Sequence, residues 1–241
     1  MQDTPAYTVR TSIVFPGKHQ ELTGVIMNTH QAINEYHRIR IARAIEAFNR
    51  RGFSTATFES ASEAVDHFFG EVCAADVIGY GGSDTVSQLG IRKLLSEGDF
   101  NFLDRSRFGH SYDEQLEIRR KTLSADVFVA SSNAVSIDGA LVNIDGDGNR
   151  IAALSLGPQR VYLLVGRNKL TETVDHAIYR ARNVAAATLA IQLGKDTPCA
   201  KTGKCHECDS PDRICSNLSV IERCRPAGRI RLLFINEDLG L

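Results

Sequence analysis

The spacing of hydrophobic positions along the chain changes repeatedly between a pattern typical of helices and one typical of strands. This alternation predicts helices and strands in turn. Apolar residues spaced three and four positions apart begin after Asn28 or Thr29 and predict a surface helix with one buried face. Residues 53–58 then predict a strand, residues 60–72 a helix and residues 75–80 a buried strand. Strands that alternate with helices favour parallel pairing through right-handed crossovers, so the pattern indicates an α/β fold.

The second half of the chain adds antiparallel signals to this pattern. Helices are predicted at residues 85–96 and 113–123, and a buried strand at residues 126–131. Asp-Gly pairs flank the apolar run 140–144, with residues 151–154 directly after, and predict tight antiparallel turns. The last predicted elements are a strand, a long helix and a strand, at residues 161–165, 171–193 and 230–235. The expected fold is α/β, with a mixed, mostly parallel sheet flanked by helices.

Length, charge and hydropathy narrow the class of protein. At 241 residues the chain can bury a core in one α/β domain, and since no linker or repeat divides it, a single domain over residues 1–241 is expected. Its 28 Lys+Arg against 29 Asp+Glu give a net charge of -1, which disfavours nucleic acid and anionic membranes as partners. The apolar runs are too short for a membrane helix and no export signal is visible, so a cytoplasmic protein is predicted.

Cysteines are concentrated late in the chain, in a turn-rich loop at about residues 198–216. Four of them follow the spacing Cys-x5-Cys-x2-Cys-x6-Cys: Cys199, Cys205, Cys208 and Cys215. In a reducing compartment disulfides are not the first interpretation. Four thiolates suit a [4Fe-4S] cluster, which is the first hypothesis, or a tetrahedral structural zinc ion. Reduced structural or redox-switching thiols are a third interpretation, and Cys224 is a spare or neighbouring thiol.

Two polar segments are candidates for binding an anion. The loop 81–85 (GGSDT) lies between a predicted strand and helix, where free N–H groups and the helix dipole attract phosphate or carboxylate; a plain capped glycine turn is the alternative. The segment 143–150 forms either a self-bonded hairpin or a rim of the same site. The candidate ligand-binding residues are Gly81, Gly82, Ser83, Thr85, Asn143, Asp145, Asn149 and Arg150.

Three arginines, Arg150, Arg160 and Arg167, are candidates for a bidentate clamp on a carboxylate. Each also has the ordinary interpretation of a solvated partner for a nearby acid. The residue order identifies no Ser-His-Asp or Cys-His arrangement. No catalytic residue is therefore predicted.

A combination of motifs resembles the LUD (lactate utilisation) domain family, in particular its short stand-alone members. The motifs are SNAVSIDGALVN at 132–143, Asp145-Gly146-x-Gly148-Asn149-Arg150 and Gly157-Pro158-x-x-Val161, with the glycine loop and the cysteine loop. The resemblance implies a fold similar to the superfold of CoA transferases, ribose-5-phosphate isomerase and glucosamine-6-phosphate deaminase. It also implies a role with iron–sulfur proteins in converting lactate to pyruvate. Larger members carry tight ferredoxin-type cysteine runs, whereas this chain has the looser loop.

The first functional hypothesis is a cytoplasmic redox accessory protein of lactate-type organic-acid utilisation. It would bind a small carboxylate or phosphate metabolite beside a cysteine-ligated centre, and work with iron–sulfur or oxidoreductase partner proteins. One alternative is a non-redox enzyme acting on a phosphorylated or CoA-linked small acid, with the cysteine loop as structural zinc. Another is a metal- or redox-responsive regulator without turnover. The sequence does not decide whether the protein turns over a substrate or whether it forms a homo-oligomer.

Overall fold

An antiparallel hairpin comes first in the chain. The computed structural model describes residues 7–15, 18–105 and 109–241, and it divides the chain into two units, residues 1–39 and 40–241. In the first unit β1 (Tyr7–Phe15) pairs with β2 (Lys18–Ile26). The sequence patterns did not predict this hairpin. The assignment of residues 1–241 to a single domain stays a prediction.

Strands of the second unit form two sheets. They are β3 (Ser54–Phe58), β4 (Val77–Tyr80), β5 (Asn101–Leu103), β6 (Val127–Ala130), β7 (Ala134–Ser136), β8 (Ala140–Asp145), β9 (Arg160–Gly166), β10 (Leu170–Thr171), β11 (Asn217–Ile221) and β12 (Ile230–Ile235). A 6-stranded sheet has the order β3-β12-β9-β6-β4-β5, and the neighbouring strands in it run parallel. A 4-stranded sheet has the order β10-β7-β8-β11, in which β8 runs antiparallel to both neighbours.

Helices lie between these strands, and several of them begin at a serine or threonine cap. They are α1 (Thr29–Arg50), α2 (Ala61–Glu71), α3 (Asp84–Gln88), α4 (Ile91–Glu97), α5 (Tyr112–Thr122), α6 (Asn149–Leu156), α7 (Val174–Arg180), α8 (Ala187–Gln192) and α9 (Pro198–Thr202). A π-helical segment, Ala181–Ala186, joins α7 to α8. The Ser60 hydroxyl accepts from the Glu63 N–H, and the Glu63 carboxylate accepts from the Ser60 N–H, which is the capping box that begins α2.

The α/β fold with a mostly parallel sheet flanked by helices is confirmed, and the antiparallel strands form a sheet of their own. The predicted single helix at 85–96 is wrong: Gly90, at φ 71°, stands between α3 and α4. Residues 151–154 do not continue the antiparallel pattern, because Asp145 Oδ2 accepts from the Ile151 N–H and helps to begin α6. The long helix begins later than predicted, since Thr173 caps α7 and Thr171 lies in β10.

Both faces of the parallel sheet are buried. Along β9, Val161, Leu163 and Val165 enter one apolar cluster, while Tyr162 and Leu164 enter the other, and all five are 0% exposed. Burying each such side chain contributes about 1.5–3 kcal/mol before the entropy cost of ordering it. The carboxyl ends of the strands are therefore held by a rigid core. None of the helices described for this chain combines the length and hydropathy of a membrane-spanning segment.

Candidate functional site

A cavity of about 590 Å³ opens at the carboxyl ends of three neighbouring strands of the parallel sheet. Residues 81–83 follow β4, residues 131–133 follow β6 and Lys169 follows β9, and all of these line the cavity. Side chains from α8 and from the cysteine loop complete its wall. Ligands of open α/β sheets bind at this end of the strands, so the cavity is the candidate binding site.

The glycine loop makes room for an arginine. Gly82 has φ +66°, and a Cβ at this position would overlap the guanidinium of Arg105. The Arg105 Nε atom is buried and has no hydrogen-bond partner within the part of the chain that the structure describes. Burial, followed by repulsion from Arg119, lowers the pKa of Arg105. The loop therefore positions a desolvated cation at the cavity.

Ser83 uses its polar groups within the loop itself. Its N–H donates to Tyr80 Oη at 2.8 Å, and its hydroxyl accepts from the Val86 N–H at 3.4 Å. The capped glycine turn that was the alternative for this loop is thus present, and α3 behind it has only 5 residues. The cations around the loop, rather than its backbone, carry the positive charge of the cavity.

Lys169 is the most deeply buried cation of the cavity, with 3% of its surface exposed. Its ammonium donates to Thr85 Oγ1 at 2.8 Å and to Ser131 Oγ at 3.1 Å. Burial, followed by repulsion from Arg180 and Arg150, lowers the pKa of Lys169 from 10.5 to about 7.

Arg150 is held by the protein rather than open to a ligand. It forms an ion pair with Asp145 at 3.1 Å and donates to Asn133 Oδ1 at 2.5 Å and to the Ile144 carbonyl at 2.7 Å. Its remaining bond is to the Ser131 carbonyl at 3.3 Å. Arg150 therefore fixes the segment 131–133, with which it shares the cavity wall.

The predicted three-arginine clamp is not formed. Arg160 makes an ion pair with Asp76, and Arg167 makes one with Asp238 at 3.1 Å. Neither of the two lines the cavity that Arg150 lines. Each has the ordinary alternative role, as the partner of a nearby acid.

Six of the eight predicted ligand-binding residues line this one cavity: Gly81, Gly82, Ser83, Asp145, Asn149 and Arg150. Thr85 and Asn143 are 0% exposed and lie outside the lining. Thr85 still contacts the cavity through its bond to Lys169, whereas the Asn143 amide has no hydrogen-bond partner among the described residues. The sequence analysis missed Lys169, Arg105 and Ser131. The only signal for Lys169 is its position just past a buried strand.

A second, small cavity of about 20 Å³ is lined by the four predicted metal ligands, Cys199, Cys205, Cys208 and Cys215. Thr197, which is 2% exposed, contacts Cys199 Sγ through its hydroxyl at 3.2 Å, and the Cys205 N–H donates to Asn183 Oδ1 at 3.0 Å. Over the described ranges, no group of three or more His, Cys, Asp or Glu is arranged to hold a metal ion. Cys224 lies apart, buried in the core, where its thiol donates to the Pro226 carbonyl.

The two cavities share a wall. Arg213 and Ile214 line both of them. Arg213 Nη1 donates to the Cys208 carbonyl at 2.7 Å, and its Nε donates to the Cys215 carbonyl at 3.3 Å. The cysteine loop is thus fixed against the cavity at the ends of the strands.

Comparison with known families agrees with this architecture. The family model of the LUD domain matches residues 41–235, a range that includes the glycine loop, Lys169 and the four cysteines of the second cavity. The chain therefore belongs to the LUD domain family, which is associated with lactate utilisation.

One solved structure similar to this chain is the crystal structure of a DUF162 family protein from Deinococcus radiodurans. It is 11% identical, with a TM-score of 0.43, and the match covers 87% of this chain and 99% of that one. No curated protein matches the chain.

Proposed function

We propose that this LUD-family protein is a redox accessory component of lactate-type organic-acid utilisation. In this proposal it binds a small organic-acid anion in the 590 Å³ cavity and carries a [4Fe-4S] cluster on Cys199, Cys205, Cys208 and Cys215. The observation that carries the proposal is the shared wall of Arg213 and Ile214. A redox centre in the second cavity would therefore lie close to an acid bound in the first.

The charges of the cavity support an anionic ligand. Lys169 and Arg105 line it, and neither forms an ion pair with any acid among the described residues. By contrast, Arg92 and Arg150 at the same cavity are each paired with a carboxylate. A buried cation without a counter-charge is costly, and a carboxylate or phosphate oxygen would offset that cost.

The four cysteines line one common space, as the ligands of a single centre would. Four soft thiolates suit a [4Fe-4S] cluster or a tetrahedral zinc ion, and the cluster is the centre proposed here. Arg182 and Arg213 line the same space and would offset the negative charge of the thiolates. When bound, such a cluster supplies one-electron transfer.

The number of electrons that the reaction releases implies partner proteins. Conversion of lactate to pyruvate releases two electrons and two protons, and one cluster takes up a single electron at a time. The second electron and the onward transfer therefore require an acceptor on another protein, so we propose iron–sulfur or oxidoreductase partners.

One observation favours a second candidate function. The cavity, at about 590 Å³, is far larger than a three-carbon acid needs. This volume suits a non-redox enzyme that acts on a phosphorylated or CoA-linked acid, in which the cysteine loop would hold structural zinc.

Metal analysis of anaerobically purified protein tests the cluster. We expect about four irons and four sulfides per chain, with a brown colour and broad absorption near 400 nm. Cys205→Ser and Cys208→Ser should each abolish the colour, because a serine hydroxyl is a poor ligand for a soft metal centre. Cys73→Ser is the matched control, since Cys73 is exposed and lies outside the cysteine cavity. A colourless preparation with one zinc per chain would decide for the second candidate.

A further inference from the structure

The ammonium of Lys169 has one more hydrogen to donate than the protein uses. An ammonium carries three N–H donors, and those of Lys169 meet two acceptors in the described part of the protein, Thr85 Oγ1 and Ser131 Oγ. The two hydroxyls are themselves oriented, because Ser131 donates to the Leu164 carbonyl at 2.6 Å and Thr85 to the Leu239 carbonyl at 3.4 Å. Each hydroxyl thus presents a lone pair to Lys169, and the third N–H is left for the cavity.

Charged groups on the surrounding elements leave this ammonium without a neutralising partner. Asp84 at the start of α3 is the acid that acts on it, and Arg180 of α7 and Arg150 of α6 oppose that action. Arg150 is already neutralised by Asp145, at 3.1 Å. Arg180 donates to two backbone carbonyls, those of Asn133 and Asn168, which carry no net charge.

We propose that Lys169 Nζ receives the carboxylate of the organic acid, and that the amine takes up a proton from solvent when the acid binds. This inference rests on the proposed function, because it assigns the carboxylate end of the ligand placed in that cavity. The low pKa of Lys169 supports the proton uptake: near pH 8 most of the free protein holds a neutral amine, and a bound carboxylate favours the ammonium. Lys169 is thereby a binding residue whose charge state follows occupancy.

Isothermal titration calorimetry with pyruvate tests the proposal on the full chain. Titrations near pH 8 in two buffers of different ionisation enthalpy report the number of protons taken up, and we expect close to one per pyruvate bound. Lys169→Met should weaken binding by about 10- to 100-fold at pH 6.5 and abolish the uptake, since a charge-assisted hydrogen bond is lost. Lys121→Met is the matched control, because Lys121 is exposed on α5 and does not line the cavity. It should leave both quantities unchanged.

The outcomes separate this inference from the proposed function. Binding by the parent protein with no proton uptake, or with equal affinity and uptake in Lys169→Met, would overturn the role of Lys169 and leave the anion cavity standing. Failure of both pyruvate and lactate to bind the parent would overturn the proposed ligand, and the inference with it. If inorganic phosphate bound more tightly than pyruvate, the carboxylate assignment would be wrong. The uptake measurement uses the parent protein, so it does not depend on the folding of any variant.

Discussion

Gly82 and Gly90 have nearly the same backbone conformation but different surroundings. Their φ angles are +66° and +71°; a Cβ at Gly82 would overlap the Arg105 guanidinium, whereas one at Gly90 would meet nothing within 4 Å. Substitutions at both positions add the strain of a left-handed residue, but only those at Gly82 also displace the Arg105 cation. Strain of this kind costs about 1–2 kcal/mol for a residue with a side chain.

We predict that Gly82→Val weakens pyruvate binding about tenfold or more, because Arg105 has to move. Both variants add the strain of a left-handed valine, so they should lower the free energy of unfolding by similar amounts. Gly90→Val should leave the affinity for pyruvate unchanged. Calorimetric affinities and urea denaturation of both variants check this. Equal affinity in Gly82→Val and the parent protein, with the fold intact, would remove Arg105 from the binding site.

Lys169 also gives stability a dependence on pH. Its pKa is about 7 in the folded protein and 10.5 in the unfolded chain, so between these values the unfolded state binds more protons. Stability from this group therefore rises with pH from about 7 to 10.5, at up to about 1.4 kcal/mol per pH unit. We predict that Lys169→Met is more stable than the parent below pH 7 and that the advantage shrinks as pH rises. Urea denaturation across this range measures it, and a difference that did not vary with pH would contradict the pKa.

The sequence patterns identified the loops that line the cavity, but they missed its charged residues Lys169 and Arg105. Gly81 and Gly82 stand out because a glycine pair directly after a predicted buried strand marks a turn. Lys169 does not stand out, since its burial depends on Thr85 and Ser131, which are 84 and 38 residues away along the chain. A contact formed only by tertiary packing leaves no local signal.

At the scale of the element, the helical run from α7 to α8 contains a feature that hydrophobic periodicity does not reveal. The π-helical segment adds a residue to one turn, whereas the regular spacing of apolar positions at three and four residues predicted one unbroken helix. Within that segment Asn183 accepts from the Cys205 N–H at 3.0 Å, and the neighbouring Arg182 pairs with Glu207 at 2.6 Å. The π segment therefore anchors the cysteine loop.

We predict that Asn183→Ala speeds cluster loss and protease cleavage within residues 198–216, because the loop loses one of its bonds to the helix. The free energy of unfolding should fall by only about 1 kcal/mol, the usual worth of one hydrogen bond. The decay of absorption near 400 nm and timed proteolysis check this. Gln192→Ala, at an exposed position of α8, is the control. Matching rates in Asn183→Ala and the control would show that Asn183 does not hold the loop.

Strand prediction found the long apolar runs, but it missed β11 and the shortest strands. The apolar runs of β6, β9 and β12 were found because both sides of these strands face the core. β11 was missed, since none of its residues is buried and its pairing with β8 is a long-range contact. Short edge strands such as β5 and β10 have too few residues for a periodic signal.

At the scale of the whole molecule, the cysteine loop contributes little to the core. The two clusters on the faces of the parallel sheet contain none of the four predicted metal ligands, and Cys215 packs only at the margin of a third cluster. Loss of the cysteine-ligated centre should therefore leave the parallel sheet folded.

We predict that removal of the centre, by a chelator or by Cys208→Ser, leaves far-UV circular dichroism almost unchanged. The melting temperature should fall by a few degrees only, because the buried strands and helices keep their packing. Amide hydrogen exchange should rise within residues 198–216 and stay low in β9 and β12. Loss of protection across the parallel sheet would instead make the centre part of the folding unit.

The position of β12 also has a consequence for how the protein is made. This strand lies between β3 and β9 in the sheet, and beside it Asn236 bonds to Glu59, 177 residues away along the chain. A ribosome synthesises β3 and β9 well before β12, the strand that joins them. The edges of β3 and β9 that face β12 therefore stay unpaired while translation continues. Exposed edges of this kind pair readily with other chains, so the nascent protein stays prone to aggregation until β12 joins the sheet.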